Sequence, residues 1–428
     1  MKIGIFTDTY NPTVSGVVTS INMLEQEMKK RGHEVYIFAP SKSITANDSQ
    51  NLYMLKSMPL LVARQYKNRI AAFYSRDIAK KIKELNLDIV HTQSEFSLGL
   101  FGKIIARKFD IPFIHTYHTM WEDYMHYIVP VKEGSRNIYP KRFARTFSRN
   151  FIRKAECIIT PSKKTEKYLK YRCKIKNKPI YVIPTGIDLA PFASSNFSYE
   201  DKQNLRKSLG ISKDDNVIIF LGRVAEEKSI DVLLDNMPSI FKELPNTKFL
   251  IVGDGPSKID LENQANKLNI SDKVIFTGKV PWNDVPKYYN IADIFVNASL
   301  TETQGLTFLE AMAAGLPIVA KYAPNLTEYI YNNKNGILVK KNTDFSKSIL
   351  DILKNKKIAE KLSLNALETA KQYSVEEFGD KLEMLYSEII RGYKHKKTLT
   401  TKQEKEKHKK NIYKTITEKL LSLTRLKK

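Results

Sequence analysis

Residues 302–310 read Glu-Thr-Gln-Gly-Leu-Thr-Phe-Leu-Glu and place two carboxylates, Glu302 and Glu310, eight positions apart with Gly305 between them. An apolar helix is expected to begin after this glycine and to end near Gly315, because glycine is a common helix exit signal. Free backbone N–H groups at a helix N-terminus attract anions. At a rise of about 1.5 Å per residue, eight helical positions span at most about 12 Å. The segment therefore has the reach to touch both ends of a nucleotide sugar.

Polar residues after other predicted strands extend this candidate anion site. Arg223 and Lys228 follow a strand directly and together offer a guanidinium fork and a point charge for a diphosphate. Gly16 lies in a turn-rich loop after the first strand, where backbone can approach a phosphate closely. His118 follows a buried strand and has the position to contact a transferred sugar, whereas His115 is expected to pack at the strand end. Solvated loop cations, a plain turn glycine and a structural histidine are the open alternatives.

The length and composition of the chain fit a globular protein of two or three domains. The chain has 428 residues and two cysteines, Cys157 and Cys173, in different local contexts. This argues against a disulfide scaffold or a zinc site and fits a reducing compartment. The N-terminus turns polar too soon for a signal peptide, and no apolar run is long enough to span a bilayer. We therefore expect a cytoplasmic protein, soluble or peripheral on a membrane.

Regular alternation of strand-like and helix-like runs predicts an α/β fold with two Rossmann-like domains facing across a cleft. We predict an N-terminal domain over 1–190, a C-terminal domain over 191–374, a helix over 375–395 that returns to the N-terminal domain, and a basic amphipathic tail over 396–428. The predicted strands are 3–6, 35–38, 88–91, 112–115 and 157–160 in the first domain, and 217–221, 249–252, 274–277, 294–297 and 318–320 in the second.

A formal net charge of +24 predicts a polyanionic partner, which is nucleic acid, anionic lipid or an acidic substrate. Residues 391–428 alone hold 14 Lys and Arg against three Glu. Basic amphipathic helices are predicted there, over 58–85 and over 139–155, and each could be a solvated helix face. For residues 412–428 we favour membrane-surface binding. The candidate membrane-binding cations are Arg64, Lys67, Arg69, Arg142, Arg145, Arg149, Lys414 and Arg425.

Several motifs occur in an order that resembles the GT-B glycosyltransferases of family 4, over roughly residues 1–393. The motifs are the Gly16 loop, His118, Pro184-Thr185-Gly186-Ile187-Asp188, Gly222-Arg223 with Lys228, Gly253-Asp254-Gly255-Pro256, and Glu302 with Glu310. The resemblance implies a retaining transferase that needs neither a cofactor nor a metal in its site.

By this resemblance, each matching residue has a role. Arg223 and Lys228 bind the donor diphosphate, Glu302 the donor sugar and Glu310 the ribose, while His118 contacts the sugar and supports developing charge. The remaining donor-binding residues implied are Gly16 at the diphosphate, Gly278 and Val280 at the base, and the backbone of Gln304, Gly305, Leu306 and Thr307 at the phosphates and sugar.

Within the family, residues 6–20, 95–99, 117–124 and 302–307 look like those of bacterial 1,2-diacylglycerol 3-alpha-glucosyltransferases. This implies a UDP-glucose donor, a diacylglycerol acceptor and a peripheral position on an anionic inner membrane face, with Glu95 and Asp123 as candidate acceptor contacts. A rival hypothesis keeps the fold and changes the acceptor to capsule, lipopolysaccharide or a second glycolipid sugar. A non-enzymatic nucleic-acid-binding protein is disfavoured, because its basic helices lack interleaved aromatic residues.

Overall fold

The computed structural model describes residues 1–13, 15–41, 51–59, 69–122, 138–302 and 304–425. The chain forms two compact units. Unit 1 consists of Met1–Gly186 together with Val375–Lys428, and unit 2 of Ile187–Ser374. The chain thus leaves unit 1 four residues before the predicted boundary at 190 and returns to it directly after residue 374.

Unit 1 is built on a sheet of eight described strands in the order β4-β3-β2-β1-β5-β6-β7-β8. All neighbouring pairs are parallel except β3 and β4. The central strands are apolar runs with both faces covered, as expected of a parallel sheet. The strands are β1 (Lys2–Phe6), β2 (Glu34–Ser41), β3 (Leu52–Pro59), β4 (Arg69–Ala71), β5 (Ile89–Thr92), β6 (Phe113–Thr116), β7 (Ile158–Thr160) and β8 (Ile180–Val182).

The helices of unit 1 cover this sheet and come from both ends of the chain. They are α1 (Gly16–Lys30), α2 (Arg76–Leu85), α3 (Ser97–Lys108), α4 (Ile138–Ile152) and α5 (Lys163–Lys167), which continues into a π-helical turn (Tyr168–Arg172). Two further helices follow unit 2 in the chain and are numbered after those of unit 2.

The prediction of one basic helix over 58–85 is wrong. Residues at its start belong to β3, β4 lies in its middle, and only α2 at its end is helical. The Arg69 side chain donates to Ser57 Oγ at 2.8 Å, which fixes it beside the neighbouring strand. Ser75 begins α2 by accepting a hydrogen bond from Ile78 N, as an N-cap does. Arg64 and Lys67 lie outside the described residues.

Unit 2 has a parallel sheet of six described strands in the order β11-β10-β9-β12-β13-β14, the arrangement of a Rossmann fold. The order in which strands are added reverses between β9 and β12, which are parallel neighbours, so the loops after these two strands meet at the carboxyl edge where such folds bind ligands. The strands are β9 (Asn216–Leu221), β10 (Thr247–Val252), β11 (Val274–Gly278), β12 (Ile294–Asn297), β13 (Ile318–Lys321) and β14 (Ile337–Val339). The two Rossmann-like parallel sheets confirm the predicted fold class.

The helices of unit 2 alternate with its strands. They are α6 (Tyr199–Ser208), α7 (Ile230–Glu243), α8 (Lys258–Lys267), α9 (Val285–Asn290), α10 (Leu306–Ala313), α11 (Asp344–Leu353) and α12 (Lys356–Lys371). Two core layers, one on each face of the sheet, are dominated by aliphatic side chains that are almost fully buried.

Helix α13 (Val375–Thr398) follows unit 2 in the chain and packs in unit 1 against α1. Arg31 at the end of α1 joins the two helices, because its guanidinium lies 2.8 Å from Asp380 and 2.9 Å from Glu383. The same guanidinium contacts Glu27 on its own helix at 2.8 Å. The pKa of Glu383 is lowered against the effect of burial by hydrogen bonds from Arg31 and His33.

Helix α14 (Lys402–Arg425) is the predicted basic amphipathic tail, but its apolar face is covered by unit 1 itself. Ile416 is fully buried, and Ile412 and Leu420 pack against the same core. Tyr413 Oη donates to the Glu156 carbonyl at 2.8 Å, and Lys419 Nζ lies 2.5 Å from Glu388. The expectation that this apolar face enters a membrane is therefore corrected: the same amphipathic pattern serves intramolecular packing.

Replacing Ile416 by alanine is therefore expected to lower the free energy of unfolding by about 2–5 kcal/mol, because it leaves a cavity in the unit 1 core. Lys414 lies on the exposed side of the same helix, and its replacement by alanine should change that free energy by less than about 0.5 kcal/mol. Urea denaturation of both variants measures the difference. Equal stability of the two variants would show that α14 is not docked in solution.

Candidate active site

The loop before α10 is shaped by a glycine and held from below by two tyrosines. Gly305 is the N-cap of α10 at φ +82°, and a Cβ there would stand 2.7 Å from the Phe308 ring. Tyr329 Oη donates to the Gln304 carbonyl, and Tyr289 Oη lies 3.2 Å from the Thr307 carbonyl. The backbone of the motif is thus fixed where it leads into the helix N-terminus, as an anion site requires.

Lys228 and Glu302 meet in the structure although they are far apart in the sequence. Lys228 ends the short 3-10 turn Glu226–Lys228 after β9, and Glu302 lies in the loop after β12. Their Nζ and Oε1 atoms are 2.5 Å apart, and the side chains are 20% and 13% exposed. A cation suited to a phosphate and a carboxylate suited to sugar hydroxyls therefore share one position at the carboxyl edge of the unit 2 sheet.

Arg223 begins the same edge, immediately after β9. Its guanidinium contacts the carboxylate of Glu227, and the side chain stays about one-third exposed. Ser299 Oγ donates to the Glu227 carbonyl at 3.1 Å, which joins the loop after β9 to the loop after β12. Gly253 packs closely against the backbone of Gly222, the residue before Arg223, since a Cβ on Gly253 would stand 1.9 Å from the Gly222 carbonyl oxygen. The close approach of these backbones sets the position from which Arg223 projects.

Glu310 lies under the loop and is only 3% exposed. Tyr289 Oη donates to Glu310 Oε2 at 2.9 Å, while Oε1 has no hydrogen-bond partner among the described residues. Burial raises the pKa of Glu310 to about 7, against a smaller opposite effect of the bond from Tyr289. A ribose hydroxyl that donates to Oε1 would favour the ionised carboxylate.

The sequence resemblance assigns the ribose of a nucleotide donor to Glu310, and on that role the affinity of the protein for UDP is expected to fall as the pH drops through about 7. Below this pH, Glu310 is protonated in the free protein, and its neutral carboxyl group accepts hydrogen bonds from ribose hydroxyls more weakly than the carboxylate does. The dissociation constant should therefore rise up to about tenfold between pH 8 and pH 6. Calorimetric titration with UDP measures the change. Glu310→Gln controls for titration of the phosphate itself, and an equal pH dependence in both proteins would contradict the role of Glu310.

The remaining predicted donor-binding residues lie in unit 2 as follows. Gly278 ends β11 at φ +70° and is partly exposed, and Val280 packs against one core layer of the unit. Leu306 and Thr307 form the first turn of α10 and are partly exposed. Gly278 and the α10 loop follow strands of the same parallel sheet, so both belong to its carboxyl edge.

His118 and Gly16 belong to unit 1. His118 follows β6, is partly exposed, and places Nε2 2.6 Å from Gln93 Oε1. Burial of much of its ring lowers the pKa of His118 to about 3, and the nearby His115 makes a smaller contribution in the same direction. The imidazole is therefore neutral at physiological pH. Gly16 is exposed in the first turn of α1, where the Ser15 side chain caps the helix.

Glu95 is almost fully buried in unit 1. It is 2% exposed, its Oε2 accepts from Trp121 Nε1 at 3.1 Å, and its Oε1 lies 3.3 Å from His115 Nε2. Both carboxylate oxygens are thus engaged inside unit 1, and the role of Glu95 as an acceptor contact stays a prediction. His115 is fully buried, as predicted. Asp123 lies outside the described residues.

The predicted membrane-binding cations differ in their surroundings. Arg145 is engaged by Glu122 through two contacts of 2.6 and 2.7 Å, and Arg69 is held by Ser57. Neither side chain therefore projects freely from the surface, as a membrane-binding cation was expected to do. Arg142 and Arg149 are exposed on α4, and Lys414 is exposed on α14. Of Arg425, the structure describes the backbone only.

Three residues of the site were missed in the sequence, namely Gln93, Glu227 and Tyr289. Gln93 follows β5 directly, so a polar residue at a strand's carboxyl end was the available signal. Glu227 and Tyr289 have no comparable signal in the sequence. Glu227 acts through its contact with Arg223, and Tyr289 through its hydrogen bond to Glu310.

Two family descriptions match the chain, one in each half. Residues 14–191 match "Glycosyltransferase Family 4", and residues 201–369 match "Glycosyl transferases group 1". The alpha-monoglucosyldiacylglycerol synthase of Streptococcus pneumoniae is 37% identical over 393 residues, 91% of this chain and 86% of that protein. The synthase of the same name from Acholeplasma laidlawii is 36% identical over 395 residues, 91% of this chain and 98% of that protein.

The fold also resembles that of solved glycosyltransferase structures. Anabaena HepE, crystallised with UDP-glucose, aligns with a TM-score of 0.70 and 17% identity over 90% of this chain and 99% of that chain. An identity this low supports the fold alone, and the assignment rests on the two synthases and the two matched domains. The chain is therefore a glycosyltransferase of GT-B fold that belongs to family 4, with an N-terminal family 4 domain and a C-terminal group 1 domain.

Proposed function

We propose that this protein transfers glucose from UDP-glucose to the 3-hydroxyl of 1,2-diacylglycerol, with retention of configuration, and so makes monoglucosyldiacylglycerol. The observation that carries the proposal is the 36–37% identity, over 91% of the chain, to two proteins that are both named alpha-monoglucosyldiacylglycerol synthase. UDP-glucose as donor is proposed from the sequence resemblance, and it is a ligand that the same fold accommodates in HepE. The two partly exposed cations beside the α10 loop fit a diphosphate.

In the proposed reaction, the bond between the anomeric carbon and the diphosphate oxygen breaks, and a new bond to the acceptor oxygen forms on the same face of the sugar. The acceptor hydroxyl gives its proton to the departing diphosphate oxygen. Arg223 and Lys228 neutralise the charge that grows on the diphosphate, and the N-terminus of α10 adds its partial positive charge. We propose that these groups supply the electrostatic stabilisation and that no resident cofactor is needed.

The other residues orient the donor in this proposal. Glu302 accepts hydrogen bonds from hydroxyl groups of the sugar and is held for this by Lys228 at 2.5 Å. Glu310 accepts from ribose hydroxyls through Oε1, while Gly278 and Val280 line the place of the base. His118 contacts the transferred sugar as a neutral imidazole, which offers one donor and one acceptor.

Diacylglycerol resides in a bilayer, so the proposed enzyme must work at a membrane surface. No helix in the described ranges of the chain has the length and apolarity to cross a bilayer. We propose that α4 provides peripheral contact with an anionic inner leaflet, through a surface formed by Phe96, Arg142, Phe143 and Arg149, called the α4 surface. Phe143 is 67% and Phe96 37% exposed, and exposed aromatic rings beside cations suit the lipid interface.

A transfer assay tests the proposed reaction. Purified protein is incubated with UDP-[14C]glucose and vesicles that contain diacylglycerol and phosphatidylglycerol, and the lipid extract is examined for labelled monoglucosyldiacylglycerol. Unlabelled UDP-galactose serves as competitor to test the choice of sugar. Absence of lipid-extractable label at every anionic lipid fraction would refute diacylglycerol as the acceptor and favour a soluble or polysaccharide acceptor.

A vesicle-flotation experiment tests the α4 surface separately. The double variant Arg142→Glu/Arg149→Glu is expected to bind anionic vesicles at least about tenfold more weakly, because each cation near an anionic surface contributes about 1 kcal/mol. The matched control is Lys407→Glu/Lys410→Glu on the exposed side of α14. If only the control variant lost binding, α14 rather than α4 would be the membrane contact.

A further inference from the structure

A buried network of polar side chains in unit 1 ends at His118. Tyr386 Oη on α13 lies 2.7 Å from His91 Nδ1, and Thr116 Oγ1 lies 2.6 Å from His91 Nε2. His91, Thr116 and Tyr386 are all at most 7% exposed. Both nitrogens of the His91 ring are therefore engaged in the ring plane, and the ring is held between a strand and the C-terminal helix.

Gln93 bridges this fixed ring and His118. Its amide nitrogen lies 3.3 Å from Nδ1 and 3.2 Å from Nε2 of His91. A point at these distances from both nitrogens cannot lie in the ring plane, because it would collide with the ring carbons. The amino group of Gln93 therefore stands over the face of the His91 ring, where an N–H group is attracted by the π electrons.

This placement decides which way the Gln93 amide faces. The reverse orientation would put the amide oxygen, with its lone pairs, over the electron-rich ring of a neutral histidine. Burial lowers the pKa of His91 well below its usual value, with smaller contributions from His115 and His118, so the ring is neutral. The Gln93 oxygen consequently faces His118 Nε2, at 2.6 Å.

An amide oxygen only accepts hydrogen bonds, so the facing nitrogen must carry a proton. Since the His118 ring is neutral, its other nitrogen is then unprotonated. Among the residues that the structure describes, Nδ1 of His118 has no hydrogen-bond partner. It is left as a pure acceptor on a partly exposed ring.

We propose that Gln93 is a positioning residue: it holds His118 in the tautomer with the proton on Nε2 and so presents Nδ1 as an acceptor for a hydroxyl of the donor sugar. The inference rests on the proposed function of His118. It predicts that the enzyme uses this histidine to receive a hydrogen bond from the sugar rather than to give one, and that His91 acts by fixing the Gln93 amide.

Steady-state kinetics with UDP-glucose test the functional part. Gln93→Met keeps the length of the side chain but removes the acceptor and leaves the His118 N–H unsatisfied, so kcat should fall about 10- to 100-fold with little change in the KM for UDP-glucose. Gln93→Glu restores the acceptor oxygen facing His118 but places a second carboxylate oxygen over the His91 ring, so it should recover only part of this loss. Tyr117→Phe removes a comparable buried hydrogen bond next to His118, to Ser148 at 2.9 Å, and should keep normal turnover.

A double-mutant cycle separates positioning from general destabilisation. In a His118→Ala background, Gln93→Met should change kcat less than about twofold, because the residue through which it acts is gone. A full additional loss in this background would overturn the proposal, since Gln93 would then act independently of His118.

NMR of 15N-histidine-labelled protein tests the tautomer without turnover. The chain has seven histidines, and the His118 signals are those absent from His118→Ala. We expect a protonated Nε2 with a slowly exchanging proton, which exchanges rapidly in Gln93→Met. A proton on Nδ1 in the wild-type protein would overturn the proposal. Failure of the wild-type protein to glucosylate diacylglycerol would refute the proposed function, whereas the NMR result would still decide the Gln93–His118 arrangement.

Discussion

Replacing Lys228 by alanine should lower kcat for glucose transfer by about 10²- to 10³-fold while leaving unit 2 folded. Its ammonium group is, with the Arg223 guanidinium, one of the two cations proposed to stabilise the diphosphate, and loss of one preorganised group that stabilises developing charge typically has an effect of this size. The variant also leaves the Glu302 carboxylate, 13% exposed, without the cation that lies 2.5 Å from it. Initial rates and a urea unfolding curve on the same preparation measure both consequences.

A lysine in a similar ion pair elsewhere in unit 2 provides the control. Lys287 contacts Asp284 at 2.7 Å on an exposed face, so Lys287→Ala should retain normal turnover. Glu302→Ala should be as inactive as Lys228→Ala, and the double variant should be no worse than either, because the two side chains act as one unit. Near-normal turnover in either single variant would refute the assignment of this pair to the donor site.

Gly253→Ala is expected to lower the free energy of unfolding by about 2–4 kcal/mol and to reduce activity further than the loss of folded protein explains. The residue has φ +139°, and its new Cβ would stand 1.9 Å from the Gly222 carbonyl oxygen, a backbone atom that cannot rotate away. The loop that carries Arg223 must therefore shift. Urea denaturation and kcat under native conditions quantify the two effects.

Gly210→Ala separates conformational strain from the steric clash. Gly210 has φ +70°, but no atom lies within 4 Å of the place where a Cβ would stand, so only the cost of a left-handed backbone, about 1–2 kcal/mol, applies. Its activity should remain normal. Equal effects of the two substitutions would mean that the Gly222–Gly253 approach does not position the site.

The alternation of strands and helices was predictable because parallel strands are short apolar runs bounded by turn residues. The eight-residue strand β3 was not, since its residues range from buried to exposed and mix apolar with polar types without a clear period. The basic tail shows a different limit. An amphipathic pattern predicts that the apolar face of α14 is covered, but a membrane and the protein's own core require the same pattern.

The candidate site was predictable where its residues follow strands in short motifs, as Arg223, Lys228 and Glu302 do. Their mutual contacts were not, because the Lys228–Glu302 ion pair joins loops after two different strands and depends on the strand order of the sheet. Gln93 illustrates the same limit, since its proposed role follows from which of its two amide atoms lies over the His91 ring. Such information exists only in three dimensions.

Both ends of unit 2 emerge side by side. Ile187 N donates to the Tyr373 carbonyl at 3.0 Å, and Ile187 bridges to Ser374. Because the two ends of unit 2 are adjacent in space, the whole unit can be exchanged between related proteins through two junctions. Under the proposed function, recombination at these junctions would exchange the proposed donor-binding unit and keep the proposed acceptor-binding unit of the recipient, a route to new glycolipids.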